Sequence, residues 1–236
     1  MTNIRNKKIL NKSGKRYIIA IFILFLFQVL LLFISAGEIY ILRFWIFIII
    51  NLIYVIFSTI LLYKINSELI NQRGTIKPDT KLWDQFLMRA HNIVLIFILP
   101  IVVGLDVGRF QWSYLNYYYL ILGYLLYIIS CILINWAMMV NPHFEATVRI
   151  QKDREHKVIT SGPYKLIRHP GYLSGILWAM SVPMILGSVY GFIPSIVGII
   201  IFIIRTGLED KTLLNELKGY SEYSKKVKRR LIPGIW

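Results

Sequence analysis

The chain has 236 residues, of which 56% are apolar and only 17% are charged. That balance is too apolar for a water-soluble domain of this length and indicates a single all-α integral membrane domain. The net charge is +15, and the one cysteine, Cys131, lies inside an apolar stretch, which excludes a disulfide framework and a thiolate metal site.

Uncharged stretches predict the membrane-spanning helices. They are residues 17–36, 45–63, 92–105, 116–140 and 172–204. The first contains 20 residues, about 30 Å as a helix, which matches the hydrocarbon core of a bilayer. The third is short and contains Pro100, so we expect it to extend backward through residues 86–91.

The last uncharged stretch predicts a hairpin. Its 33 residues would form about 50 Å of straight helix, too long for one crossing and short for two. A bend at GSVYG (187–191) places 25 of the 27 Lys and Arg residues on one side of the membrane, as the positive-inside rule favours. We therefore predict a multi-pass protein of the cytoplasmic membrane with about six transmembrane helices. The last two form a short hairpin, and both termini are cytoplasmic.

The same charge distribution indicates which partners the chain has. Basic residues are spread over four cytoplasmic segments, where they meet the anionic headgroups of the bilayer, so a nucleic-acid partner is not expected. The four histidines form no i, i+4 pair and no ligand cluster, so a metal site is not expected either.

Two polar segments flank the hairpin and should meet at its cytoplasmic mouth. In the first, 149–172, Pro170 biases His169 away from helical dihedral angles, so Arg168 and His169 should lie in extended chain just before a helix. The free N–H groups at a helix start suit a carboxylate or phosphate oxygen. Pairing of Arg168 and His169 with headgroups or with a nearby carbonyl explains the same residues equally well.

The second polar segment is residues 205–236. Arg205 and Glu209 lie one turn apart on one helical face, a spacing that is usually a local salt bridge. Adjacent Glu209 and Asp210 at a membrane boundary nevertheless require a facing cation. Beyond them a helical stripe predicts a tail that lies along the interface and covers the mouth, although an ordinary amphipathic helix would show it too. The stripe consists of Leu213, Leu214, Leu217, Tyr220 and Tyr223.

Taken together, these motifs resemble a known enzyme family. The segments are HKVITSGPYKLIRHPGY (156–172), RTGLED (205–210), GYSEY (219–223) and RRLIPGIW (229–236). In this order and spacing they closely resemble the bacterial branch of the isoprenylcysteine carboxyl methyltransferase family, membrane enzymes that transfer a methyl group from S-adenosylmethionine. The resemblance implies N-terminal transmembrane helices in 1–134 and a catalytic region in 135–236. Weaker likeness continues upstream in KLWDQF (81–86).

The resemblance also implies site residues. Arg205 would orient the acceptor, and Arg168 would have a structural or headgroup role. The residues implied to bind S-adenosylmethionine are His156, Lys157, Val158, Ile159, Tyr164, His169, Pro170, Gly171, Tyr172 and Glu209. Where the family often has Glu-Glu, this chain has Glu209-Asp210, which leaves the role of Asp210 open.

Physical chemistry favours the same cofactor and acceptor. S-Adenosylmethionine carries a sulfonium, an amino-acid end and a flat adenine, and Tyr164, Tyr172 and Glu209 offer aromatic faces and an acidic partner. A carboxylate acceptor is ionised at pH 7 and needs no general base. A site between helices further suits a prenylated or lipid-like acceptor.

Two other classes share some of these features. Membrane sterol-type reductases also contain an RHPxY-like segment but use NADPH, and they typically have Asn-Tyr after the proline and Arg-Asp in the final helix. Here Gly171-Tyr172 and Glu209-Asp210 occupy those places. A transporter or other non-enzymatic membrane protein would use the polar loops only as anchors, but transporters typically contain paired repeats, and none is visible here.

Overall fold

Seven helices make up most of residues 10–232, the part of the chain that the computed structural model describes. They are α1 Lys12–Ala36, α2 Leu42–Arg73, α3 Leu82–Arg109, α4 Tyr117–Val140, α5 Pro170–Leu186, α6 Phe192–Glu216 and α7 Tyr220–Lys226. No β-strand occurs between residues 10 and 232, which confirms the all-α prediction. Residues 1–9 and 233–236 lie outside the described chain, and with them the PGIW end of the tail motif and both predicted cytoplasmic termini.

The helices form a multi-pass membrane protein. Helices α1, α2, α3, α4 and α6 are each long and apolar enough to cross a bilayer. Helix α5 is apolar but has only 17 residues, about 25 Å. The predicted number of about six therefore corresponds to five long helices and one short one.

The predicted hairpin is present, with one arm longer than expected. Helix α5 ends at Gly187, whose φ of 89° favours glycine, and α6 begins directly after Gly191. The predicted bend at 187–191 is thus confirmed. Helix α6 continues past Ile204 to Glu216, however, because its charged residues are paired inside the protein instead of marking the end of the helix.

Helix α3 begins as a regular α-helix and continues with wider, π-helical turns. It starts at Leu82, which confirms the predicted backward extension of the third stretch. Two π-helical segments, Ile93–Ile98 and Leu105–Arg109, flank the turn that contains Pro100, a residue that cannot donate a helical hydrogen bond. The regular first part places Asp84, Met88 and His91 on one face at i, i+4 and i+7.

Polar side chains join α2, α4 and α5 within the bundle. Ser58 Oγ donates to Asn135 Oδ1 at 2.8 Å, and Asn135 Nδ2 donates to Tyr54 Oη at 3.1 Å. Ser130 Oγ donates to the Ser174 carbonyl at 2.8 Å. Satisfied hydrogen bonds of this kind lower the cost of polar groups in a membrane interior, and here they fix the helices around a cavity.

Candidate functional site

A cavity of about 400 Å³ lies between the five helices from α2 to α6. The loop 141–169 and helix α7 line one of its ends. The other end lies deep in the bundle, where Tyr54, Cys131 and Trp178 line it. The lining contributed by α4 and its C-cap extends from Ser130 to Asn141, a rise of about 16 Å along the helix. The cavity therefore has a polar end among the loops and an inner end between membrane-spanning helices.

All eleven predicted site residues line this one cavity. They are His156, Lys157, Val158, Ile159, Tyr164, His169, Pro170, Gly171, Tyr172, Arg205 and Glu209. They come from three separate parts of the chain: the loop after α4, the start of α5 and the second half of α6. The two polar segments that flank the hairpin therefore meet, as expected, and Tyr164, His169 and Glu209 line the same cavity.

The chain just before α5 is non-helical, as predicted, but His169 is not extended. His169 is the N-cap with φ −125° and ψ 63°, and Pro170 occupies the first helical position, where its missing N–H costs nothing. Gly171 lies against Phe144, and a Cβ atom at this position would be 2.5 Å from the Phe144 ring. The glycine is therefore required for close packing of the loop onto the helix start.

Arg205 is held by an aspartate that local patterning did not indicate. Its Nε donates to Asp84 Oδ1 at 2.5 Å, and its Nη2 donates to Asp84 Oδ2 at 3.2 Å and to the Ala146 carbonyl at 2.8 Å. Asp84 is fully buried and also accepts from the Val148 N–H at 2.8 Å. Arg205 is thereby fixed between α3, α6 and the loop, and Nη1 has no hydrogen-bond partner among residues 10–232.

Glu209 pairs across the hairpin instead of along its own helix. The Tyr172 hydroxyl donates to Glu209 Oε2. The Tyr172 ring lies 5.2 Å from the Arg205 guanidinium carbon, a cation–π distance. The usual i, i+4 interpretation of Arg205 and Glu209 is therefore wrong, because each residue binds a partner on another helix.

Asp210 is the centre of a buried polar cluster. It is fully buried and accepts from Arg168 Nη1 at 2.9 Å, His169 Nε2 at 3.1 Å, the Tyr220 hydroxyl at 2.8 Å and Arg230 Nε at 2.8 Å. Asp210 is the carboxylate that the sequence left without a role. Arg168, for which a structural or headgroup role was expected, pairs with this carboxylate.

The tail covers the polar end of the cavity. The Arg168 N–H donates to the Arg229 carbonyl at 2.9 Å, and the His169 N–H donates to the Arg230 carbonyl at 3.0 Å. Leu217, Tyr220 and Tyr223 are buried against Ala137 and Tyr164, whereas Leu214 is 38% exposed. Most of the predicted apolar stripe therefore packs against the cavity wall. The helix is interrupted before Gly219, so the leucines of the stripe lie at the end of α6 and its tyrosines on α7.

The loop 141–156 is ordered by a buried arginine that sequence reasoning missed. Arg149 Nε donates to Glu145 Oε2 at 2.8 Å, and its Nη1 donates to Asp153 at 2.8 Å and to Asp79 at 3.1 Å. These carboxylates, Glu145 first, raise the pKa of Arg149. The sequence feature that could have indicated this cluster is an arginine with acidic residues four positions before and four positions after it, although the segment is a loop and not a helix.

Two histidine rings of this loop lie side by side, tilted by 38°, at the cavity wall. The rings of His143 and His156 lie 4.6 Å apart. Burial, followed by the positive charges that surround the site, lowers the pKa of His156 from 6.5 to about 4. Burial also lowers the pKa of His143. Both rings are therefore neutral at pH 7.

Acidic pH should destabilise the packing of the loop 141–156. Because the pKa of His156 is lower in the folded protein than the ordinary 6.5, the unfolded chain binds the proton more tightly. This contribution to stability is complete above pH 6.5 and is lost as the pH falls toward 4. We expect the Tm to fall more steeply over that interval in the wild type than in His156→Gln, measured by thermal unfolding in detergent. Parallel profiles for the two proteins would contradict this assignment.

Part of the chain is similar to a known protein family. Residues 121–215 match the model of the isoprenylcysteine carboxyl methyltransferase family. Over this segment the chain is similar to that family. The match includes the start of α5, Arg205 and Glu209, but ends before the tail.

Curated relatives of the family cover part of the chain. A probable protein-S-isoprenylcysteine O-methyltransferase of Oryza sativa subsp. indica is 30% identical over 86 residues, 36% of this chain and 45% of the relative. The protein-S-isoprenylcysteine O-methyltransferase of Saccharomyces cerevisiae is 28% identical over 154 residues, 59% of this chain and 60% of the relative. The chain thus spans about half the length of the curated relatives that it matches.

A solved structure of the family has the same fold. It is described as the eukaryotic intramembrane Ras methyltransferase ICMT, and the comparison covers 96% of this chain and 99% of the other, with a TM-score of 0.50 and 17% identity. At that identity the likeness concerns the fold alone. It extends the similarity beyond the matched segment to the N-terminal helices.

Proposed function

We propose that this protein is a membrane methyltransferase that binds S-adenosylmethionine at the polar end of the cavity and methylates a carboxylate of a prenylated or lipid-like acceptor. One observation carries the proposal: Glu209, Tyr172 and Arg205 converge from two helices on a cavity that continues between membrane-spanning helices. The family match and the names of the curated relatives support it.

The residues at the polar end fit the proposed cofactor. Glu209 is a partly exposed carboxylate that could receive the amino group or the ribose, and Tyr164 and Tyr172 offer aromatic faces to a cation. Residues 156–159 line the same end with backbone outside any helix, whose N–H and C=O groups could bind the adenine. S-Adenosylmethionine supplies a methyl group that is already activated by its sulfonium.

Arg205 fits the role of acceptor-orienting residue. Asp84 fixes two of its nitrogens, which leaves a guanidinium edge to form a charge-assisted bond to an acceptor carboxylate. The protein then has mainly to align the acceptor oxygen and exclude water, since a carboxylate needs no proton removed at pH 7. The neutral imidazole of His156 is not required as a base in this scheme.

The position of the cavity fits an acceptor that is anchored in lipid. Its inner end lies among Tyr54, Cys131 and Trp178, so an apolar chain could reach it from the bilayer. The positive-inside rule supports a cytoplasmic position for the polar end, since the basic segments 141–171 and 205–236 lie there. The cofactor would enter from water and the acceptor from lipid.

Replacing Glu209 by Gln tests the cofactor site. We expect the affinity for S-adenosylmethionine to fall at least tenfold, because a charged hydrogen-bond acceptor is typically worth about 1.5–3 kcal/mol. Glu222→Gln on the exposed side of α7 is the matched control and should leave the affinity unchanged. Equilibrium binding to purified protein measures both. Unchanged affinity in Glu209→Gln, or saturable binding of NADPH alone, would overturn the proposal.

The nature of the product tests the acceptor. Tritiated methyl transfer into a membrane extract should give a lipid-soluble label that mild base releases, as it would from an ester. A label that resists base, or one found only on water-soluble acceptors, would contradict a lipid-like carboxylate acceptor.

A further inference from the structure

His91 lies on the face of α3 that borders the cavity. Asp84, Met88 and His91 share this face, and the carboxylate of Asp84 holds Arg205. Met88 and His91 both line the cavity. Seven residues of helix rise about 10 Å, so His91 lies that far along α3 from Asp84, toward the inner end of the cavity.

The Nε2 atom of His91 is buried without a hydrogen-bond partner among residues 10–232. Its Nδ1 lies 3.5 Å from Asn92 Oδ1, and in the tautomer whose ring hydrogen on Nδ1 faces this oxygen, Nε2 carries the lone pair. Buried polar atoms are normally hydrogen-bonded. The exception at the wall of a cavity indicates a partner that comes from outside the protein.

The surroundings of His91 connect it to the residues of the proposed reaction. Its ring lies 4.3 Å from that of Phe202, and Phe202 lies 5.7 Å from the Tyr172 ring. Tyr172 in turn contacts Glu209 and the Arg205 guanidinium. Met88, one turn away on the same face, is flexible enough to let this wall adjust to a ligand.

We propose that His91 is a specificity-determining residue: its Nε2 accepts a hydrogen bond from an N–H or O–H group of the methyl acceptor. This inference rests on the proposed function, in which Arg205 binds the carboxylate that is methylated. The acceptor then carries a donor group near its carboxylate, as an N-acylated amino acid does, and the lipid chain extends beyond it.

Paired acceptors test the role of His91. One is N-acetyl-S-farnesyl cysteine, and the other is the analogue in which a methylene replaces the amide N–H. The wild type should favour the amide acceptor in kcat/KM by roughly five- to tenfold, the usual value of one neutral hydrogen bond. His91→Phe keeps an aromatic ring against Phe202 but removes Nε2. This variant should therefore have about the same kcat/KM for the two acceptors.

A conservative variant and a control complete this test. His91→Gln retains an acceptor atom close to the position of Nε2 and should recover most of the preference. Phe86→Leu, on an exposed side of α3, should keep the wild-type ratio. No preference in the wild type, or a wild-type ratio in His91→Phe, would overturn the inference while methyl transfer itself remains. Failure of the wild type to methylate either acceptor or to bind S-adenosylmethionine would refute the proposed function instead.

Discussion

Replacing Arg205 by lysine should lower kcat/KM for methyl transfer about 100-fold or more, with the affinity for S-adenosylmethionine changed little. Lysine keeps the charge but cannot bind Asp84 through two nitrogens and still present another to an acceptor. Loss of one preorganised charge-stabilising group typically costs about 10²–10³ in rate. Initial rates with a lipid-like carboxylate, together with equilibrium cofactor binding, measure the two effects separately.

Arg89→Lys provides the control for this variant. Arg89 lies on an exposed side of α3, so the same exchange there should leave kcat/KM unaffected. The thermal unfolding of Arg205→Lys shows whether the fold survives. A folded variant with activity within a few-fold of the wild type would exclude Arg205 from acceptor orientation.

Replacing Asp210 by asparagine should destabilise the protein by about 3 kcal/mol or more. The fully buried carboxylate accepts from Arg168, His169, Tyr220 and Arg230, and removal of its charge leaves buried cations without their counter-ion. Because Arg168 and His169 also bind the backbone of the tail, the tail should detach first. Limited proteolysis of the C-terminal segment and the Tm in detergent would both report this.

Asp153→Asn is the matched substitution for Asp210→Asn. Asp153 also pairs with an arginine, but its side chain is 51% exposed, so we expect a loss of about 1 kcal/mol or less. Equal effects of the two substitutions, or a protease-resistant tail in Asp210→Asn, would show that the buried cluster does not hold the tail in place.

Much of the fold could be predicted because a bilayer imposes strong rules on sequence. The length of the apolar stretches and the distribution of Lys and Arg predicted the hairpin, and Gly187 provided its turn. The end of α6 was harder to predict. Charges near Ile204 ordinarily mark a boundary with water, but Arg205 and Asp210 are neutralised by residues far away in the sequence.

The candidate site was predictable where its residues are close together in the sequence. The segment 156–172 and Glu209 carry a recognisable motif, and the fold brings them to one cavity. Asp84 lies 121 residues from its partner Arg205, in a helix with no other sign of a site except a weak likeness in KLWDQF. His91 also gave no signal, because its importance lies in an unpaired atom that only the packing of α3 against Phe202 reveals.

The shortness of α5 sets the depth of its ends. At about 25 Å it is several ångströms shorter than a typical hydrocarbon core, and Met180 is its one exposed residue, so other helices separate most of it from lipid. Non-helical chain at membrane depth is tolerated where protein or a water-filled cavity encloses it, so His169 and the polar end of the cavity can lie close to the level of the acyl chains. A substrate tethered by its lipid chain would then meet a water-borne methyl donor without being lifted out of its leaflet.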